Sequence, residues 1–319
     1  MTYSFTHRTG LAALALAVFT AISPVAAAQD AAACKTVNMS DPGWIDITAT
    51  DAVAGVLLDA LGYVQNVRML SVIIGYETLK NRNTDVFLGN WMPAQQNFIE
   101  DLNRTNAIEV LATNLVGTKF TLAVPDYVAN AGIRDFKDVA ANADKFGKKI
   151  YGIEPGAPAN ITIEKMIAGP SPELKGWTLI ESSEQGMLAQ VSRAERSKQW
   201  IVFLAWSPHP MNEKFAITYL SGGDAYFGPN YGGGSVRTVA RSGWSAQCPN
   251  AARLFRNLKF DLPMENALIS AIMDEHSNPK AAARSWLNTH PDALAPWLEG
   301  VTTLDGKPGL AAVRTAIGL

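Results

Sequence analysis

Three tryptophans and one aspartate stand where strand-like runs of the sequence end. Trp91 closes "DVFLGNW" just ahead of Met92 and Pro93, Trp206 closes "WIVFLAW", and Trp44 and Asp46 follow "KTVNMS" in "SDPGWID". The turn at Gly156 ends a fourth run, "KKIYGIEPG". In parallel α/β sheets the ligand crevice lies beyond the carboxyl ends of the strands, so these side chains are expected to converge. Indole faces and a carboxylate are groups that attract a cation, the rings through their quadrupole and the acid through its charge. One such tryptophan alone reads more simply as core or inter-lobe packing; three of the eight in the chain at equivalent strand ends make coincidence less attractive. The proline two residues after Trp91 removes a ladder donor and ends regular pairing, which leaves that ring little room to be ordinary core. The remaining five, Trp177, Trp200, Trp244, Trp286 and Trp297, read as packing residues.

The elements that must position these residues alternate along the chain. Strands are read in "KTVNMS", "NVRMLSV", "DVFLGNW", "FTLAVP", "KKIYGIEPG", "WTLIESS", "WIVFLAW" and "VRTVAR". Between them lie helical runs such as "GYETLKNRN", "PAQQNFIEDL", "ANITIEKMIAG" and "EQGMLAQVSRAERSK". Thr48 to Asp51 has the T-x-x-D form of a capping box ahead of the periodic run Ala52, Val53, Val56, Leu57, Ala60, Leu61, which places Trp44 and Asp46 in the loop feeding that helix. Strands spaced by helices of this length argue for an α/β fold with mostly parallel sheets. Residues 219–238 hold six glycines and a proline in twenty positions, which suits a connection. The last seventy residues or so are helical, with "ENALISAIMDEH" and "PKAAARSWLNTH" amphipathic. Two α/β units and a return through a glycine-rich segment suggest two lobes with the chain crossing between them, and the interface of lobes is where ligands bind by default.

The composition, 48% hydrophobic and 18% charged over 319 residues, fits a soluble globular chain able to bury sizeable cores. A formal charge of −2 without a basic cluster gives nucleic acid and anionic membranes nothing to hold. His7 and Arg8, the apolar run "LAALALAVFTAI" and the small residues of "SPVAAAQDAAA" read as an export signal over residues 1–28, cut after Ala28. The run is too short to span a bilayer. Cys34 and Cys248 are the only cysteines, and in an exported chain they most simply form one disulfide. Lipidation of Cys34 is the rival, but "AAAC" lacks the leucine usual three residues before a lipidated cysteine. An enzyme is the competing class. His209, His276 and His290 stand in no H-E-x-x-H, no G-x-S-x-G is present, "GGGS" at 232–235 lacks the lysine of a phosphate loop, and "EQG" at 184–186 reads as an ordinary helix start. His209, between two prolines, reads as structural. No cofactor or metal is called for.

Seven segments, "SDPGWIDITAT", "GYETLKNRNTDVFLGNWMPAQ", "YGIEPG", "ESSEQGMLAQVSRAE", "IVFLAWSPHPMN", "TYLSGGDAYFGPNYGGGSV" and "PWLEGV", resemble the periplasmic choline-binding proteins of quaternary-amine ABC importers. The resemblance runs over nearly the whole mature chain. It implies a two-lobed periplasmic-binding-protein fold of the Venus-flytrap type II, with two hinge crossovers, closure around the ligand, and delivery to a membrane permease with its ATPase. On this reading 29–118 and 228–319 form lobe 1, 119–227 form lobe 2, the chain is a monomer, and it works in the periplasm. The residues matching the family's aromatic box are Trp44, Trp91 and Trp206, with Asp46 as acidic partner. A quaternary ammonium has no N–H to donate, and choline recognition is the standard use of aromatic cages, at about 0.5–2 kcal/mol per ring. A carboxylate favours a net cation over a zwitterion, so choline is expected before glycine betaine, with acetylcholine, carnitine and trimethylamine oxide as alternatives. Two positions depart from the family. Phe120 in "TKFTLA" replaces a tyrosine and keeps the ring, and Ala157 in "EPGAPAN" replaces the asparagine expected to bind choline's hydroxyl. Asn160 is the candidate substitute, unless it is an ordinary polar residue at a helix start or the ligand is a different cation.

Overall fold

The computed structural model describes residues 1–4, 29–170, 173–273 and 275–319. The export signal expected over 1–28 lies, from residue 5 onward, outside them. Among the described residues no helix is long and apolar enough to cross a membrane.

Among the described residues nine strands build the frame: β1 (Thr36–Asp41), β2 (Val64–Met69), β3 (Val86–Met92), β4 (Ile108–Pro125), β5 (Lys149–Tyr151), β6 (Thr178–Ile180), β7 (Phe203–Ser207), β8 (Ile217–Tyr219) and β9 (Gly234–Arg241). They run in the order β2-β1-β3-β9-β4-β7-β5-β6, with β8 paired to β4. The order divides at β4. This 18-residue strand pairs with β9 from Ile108 to Thr118, then with β7 and β8 from Lys119 to Pro125. One strand therefore belongs to two sheets and carries the first crossing between the lobes.

Pairing is parallel for β1 with β2 and β3 and for β5 with β6 and β7, and antiparallel wherever β4 or β9 takes part. The sheets are thus mixed rather than mostly parallel, because β9 runs against its neighbours in the first sheet and β4 against its neighbours in the second. The return crossing is the glycine-rich segment, which holds two short helical turns, Asp224–Phe227 and Pro229–Gly232, before β9 begins. It presses on the backbone of β4 and of β3. A Cβ at Gly232, where φ is +66°, would stand 2.0 Å from the Phe120 carbonyl oxygen, and one at Gly234 1.9 Å from that of Met92. Only glycine allows the return segment to lie this close to β4 and β3.

Helix Ile45–Ala60 is buried at 13 of its 16 positions, packed between the first sheet and the helices Leu262–Met273, Pro279–Thr289 and Gly309–Ile317. It starts three residues before the T-x-x-D box. Ile45, Ile47 and Ala49 are buried with it, and this apolar burial extends the helix past the weaker capping signal. Thr48 Oγ1 instead donates to Asp41 Oδ2 at 2.6 Å, and neither carboxylate oxygen of the buried Asp51 has a hydrogen-bond partner. Burial holds the Asp51 carboxyl well above the usual carboxylate range.

Cys34 and Cys248 are joined in a disulfide, their Cα atoms 5.7 Å apart across 214 positions of sequence.

Candidate functional site

Two strands, one from each lobe, end in the same way. Trp91 is the penultimate residue of β3 and Trp206 of β7, and each is followed by a residue and a proline in cis, Met92-Pro93 and Ser207-Pro208. Phe120 lies directly opposite Trp206 in the β4–β7 ladder, where cross-strand side chains share a face. The Phe120 and Trp91 rings then meet at 5.8 Å between centroids, inclined at 38°. Trp44 arrives by another route, as the N-cap residue of helix Ile45–Ala60. Asp46 follows in that helix's first turn, not in a loop before it.

These elements bring Trp44, Asp46, Trp91, Phe120 and Trp206 around one cavity, completed by Ala94, Gln95, Ile153 and Pro158. Its empty volume, including the open mouth, is about 350 Å³. The three indoles and Asp46 are buried and Phe120 is half-buried. Asp46 Oδ2 accepts the Trp91 indole N–H at 2.9 Å, and no ion pair to Asp46 occurs among the described residues. Burial, and then the nearby Glu184 charge, push the Asp46 carboxyl up to about 7 against the pull of the Trp91 bond. A carboxylate under that strain in an aromatic pocket is matched chemically by a compact cation.

The remaining expected residues are placed otherwise. Ala157 is buried but does not line the cavity; it is the N-cap of helix Pro158–Ala168, whose first residue does. Asn160 does not reach the cavity either. Its Oδ1 accepts from the Ile153 N–H at 3.1 Å, and its Nδ2 donates to the carbonyls of Ile153 and Glu154 and to Glu181 Oε1 at 2.9–3.0 Å. These bonds tie the side chain to the 152–157 turn and to Glu181.

Reading the sequence missed Ala94, Gln95, Ile153 and Pro158 in the wall, and two acids behind it. Gln95 is held by the Tyr76 hydroxyl, which donates to its Oε1 at 2.6 Å, and by Gly89, whose carbonyl accepts from its Nε2 at 2.8 Å. Glu154 Oε1 accepts the Trp44 indole N–H at 2.8 Å. Glu184 Oε2 accepts from the Ile45 N–H at 3.4 Å, and its Oε1 meets His209 Nε2 at 3.1 Å. His209 Nδ1 accepts from the Met211 N–H at 2.9 Å, so the ring proton sits on Nε2. The same ring stands edge-on to Trp206 at 5.1 Å. Glu154 carried a signal, its place in the fourth strand-end turn; Glu184, at a helix start, carried none.

Over residues 35–289 the chain matches the OpuAC family, the substrate binding domain of ABC-type glycine betaine transport system. A solved ABC-transporter choline binding protein in complex with choline is 50% identical, with a TM-score of 0.89 over 91% of this chain and 100% of that one. An ABC-transporter choline binding protein in an unliganded semi-closed conformation is 51% identical, with a TM-score of 0.84 over 90% of this chain and 100% of that one. An uncharacterized protein, ORF1, of Chromohalobacter salexigens is 44% identical over 141 residues, 44% of this chain and 90% of that protein.

Proposed function

The chain belongs to the OpuAC family of substrate-binding transport domains, and from that premise we propose that it is a receptor, not an enzyme, that captures choline or a related quaternary ammonium cation between two lobes. It works in the periplasm as a monomer and hands its ligand to an ABC permease driven by an ATPase. Residues 29–118 with 228–319 make one lobe and 119–227 the other, the hinge being the two crossings at β4 and before β9.

One observation carries the reading: Trp44, Trp91, Trp206 and Phe120 surround a cavity with Asp46, a buried acid that makes no ion pair among the described residues. A quaternary ammonium offers no N–H, so ring faces and charge are what can hold it, and three well-placed rings contribute on the order of 2–6 kcal/mol before the cost of closure. The carboxylate of a zwitterion such as glycine betaine would meet Asp46, with Glu154 and Glu184 behind it, which favours a net cation.

Calorimetry on ligand-stripped protein with choline, tetramethylammonium and glycine betaine tests this. The two cations are expected to bind more tightly than the zwitterion. Replacing Trp44, Trp91 or Trp206 singly by alanine is expected to weaken choline by about tenfold or more, roughly 1.4 kcal/mol, with the fold intact by circular dichroism. Two of the three variants binding like wild type would refute the cage.

A further inference from the structure

Helix Ile45–Ala60 begins without a cap from its own sequence: its N-cap residue is Trp44, whose side chain makes no capping bond. The first N–H groups of any helix lack intrahelical partners, and here the acids that meet this end come from the far side of the cavity. The Ile45 N–H donates to Glu184 Oε2 at 3.4 Å and the Trp44 indole N–H to Glu154 Oε1 at 2.8 Å. Both acids are held in place on their own side. Glu184 is bonded through its other oxygen to His209, and the pair is 1% exposed on each side chain. The Glu154 carbonyl is fixed by Asn160 at 3.0 Å.

We propose that Glu154 and Glu184 form a clasp that shuts the lobes over the cavity by gripping the consecutive residues Trp44 and Ile45, and that Glu154 is thereby the positioning residue for the Trp44 ring. The inference rests on the reading of this cavity as an ammonium site and adds how that site closes. The Ile45 N–H and the Trp44 indole N–H take these partners from across the cavity, so closure supplies them, and the positive end of the helix dipole faces Glu184. Trp44 then serves twice, its ring face lining the cavity and its N–H joining the lobes.

The test separates a clasp from simple attraction between Glu154 and the ligand charge. Tetramethylammonium and choline affinities are measured calorimetrically for wild type, Glu154→Leu, Glu154→Gln, Trp44→Phe and the Trp44→Phe/Glu154→Leu double variant. Glu154→Leu is expected to lose about tenfold in the presence of Trp44, the worth of a hydrogen bond to a charged group. In the Trp44→Phe background, where the ring remains and the N–H is gone, the same change is expected to cost less than about twofold. Glu154→Gln keeps an acceptor and is expected to stay within about threefold of wild type. Equal losses in both backgrounds, or a glutamine variant as weak as the leucine one, would overturn the clasp in favour of plain charge attraction. Wild type binding neither cation would refute the ammonium reading, and the clasp would then be decided by X-ray scattering without ligand. A larger radius of gyration for Glu154→Leu/Glu184→Leu than for wild type supports it, and an equal radius overturns it.

Discussion

At the scale of single residues, the sequence pointed to Trp44, Asp46, Trp91, Phe120 and Trp206, which line one cavity, and not to the acids behind them. Trp91 and Trp206 announce themselves because each follows an apolar run and precedes a proline, and Trp44 with Asp46 because a strand and a helix flank them. Glu154 and Glu184 touch Trp44 and Ile45 from 110 and 139 positions away, a pairing that no local pattern encodes. Asn160, a candidate for the ligand from its place at a helix start, makes four bonds to Ile153, Glu154 and Glu181, partners that its position in the sequence did not announce. The chemistry of Asp46 leads to a pH dependence. Burial pushes its carboxyl from the ordinary 3.8 up to about 7. A carboxyl pKa raised by burial gives the buried form a contribution that is fully present below the ordinary 3.8 and is lost as pH rises through about 7. A cation binds the ionised form, so it must displace the proton. Affinity is therefore expected to fall about tenfold from pH 8 to pH 6, with proton release on binding. Calorimetry in two buffers of different ionisation enthalpy reads both; an affinity flat across this range would show that Asp46 is already ionised before the ligand arrives.

At the scale of elements, periodicity located most strands and helices but misjudged those shaped by distant packing. The 18-residue β4 was legible only in its last third, "FTLAVP", since Asn114, Gly117 and Thr118 interrupt the apolar pattern. Asn114 is buried and donates to the Leu88 carbonyl and to Thr238 Oγ1, partners outside its own strand. The start of helix Ile45–Ala60 was misplaced for a similar reason, because burial against the sheet decided it. Helix Pro158–Ala168 offers the test at this scale. Its N-cap, Ala157, has extended backbone angles and no side-chain bond to the first turn. Ala157→Asn would supply that cap, worth about 1 kcal/mol, and so raise the melting temperature by about 3 °C. The amide N–H would remain beside Pro158 at the cavity wall, free for a hydroxyl. Choline is thus expected to tighten about fivefold, near the net value of one hydrogen bond, while tetramethylammonium changes less than about twofold. Equal gains for both cations would mean that position 157 acts through the helix alone.

At the scale of the whole molecule, the two-lobed plan was legible from the glycine-rich return and the alternation of strands and helices, but the sharing of β4 between two sheets was not. That sharing gives the disulfide its leverage. Cys34 precedes β1 and Cys248 follows β9, so the loop it closes contains the whole second sheet and both crossings. In the chain-entropy model a loop of this length restrains the unfolded chain by about 4–5 kcal/mol, less whatever structure that chain retains. Neither cysteine lines the cavity. The variant Cys34→Ser/Cys248→Ser is therefore expected to melt about 10 °C lower, taking 2–4 °C per kcal/mol for domains of this size. At 20 °C its choline affinity should remain within about twofold of wild type. Ligand at about 100 times its Kd adds about 2.7 kcal/mol to any form that binds it, so saturation should raise both proteins by a similar number of degrees and leave the gap between them. A variant that keeps its fold but loses the ligand would show instead that the crosslink holds the first lobe in its binding shape.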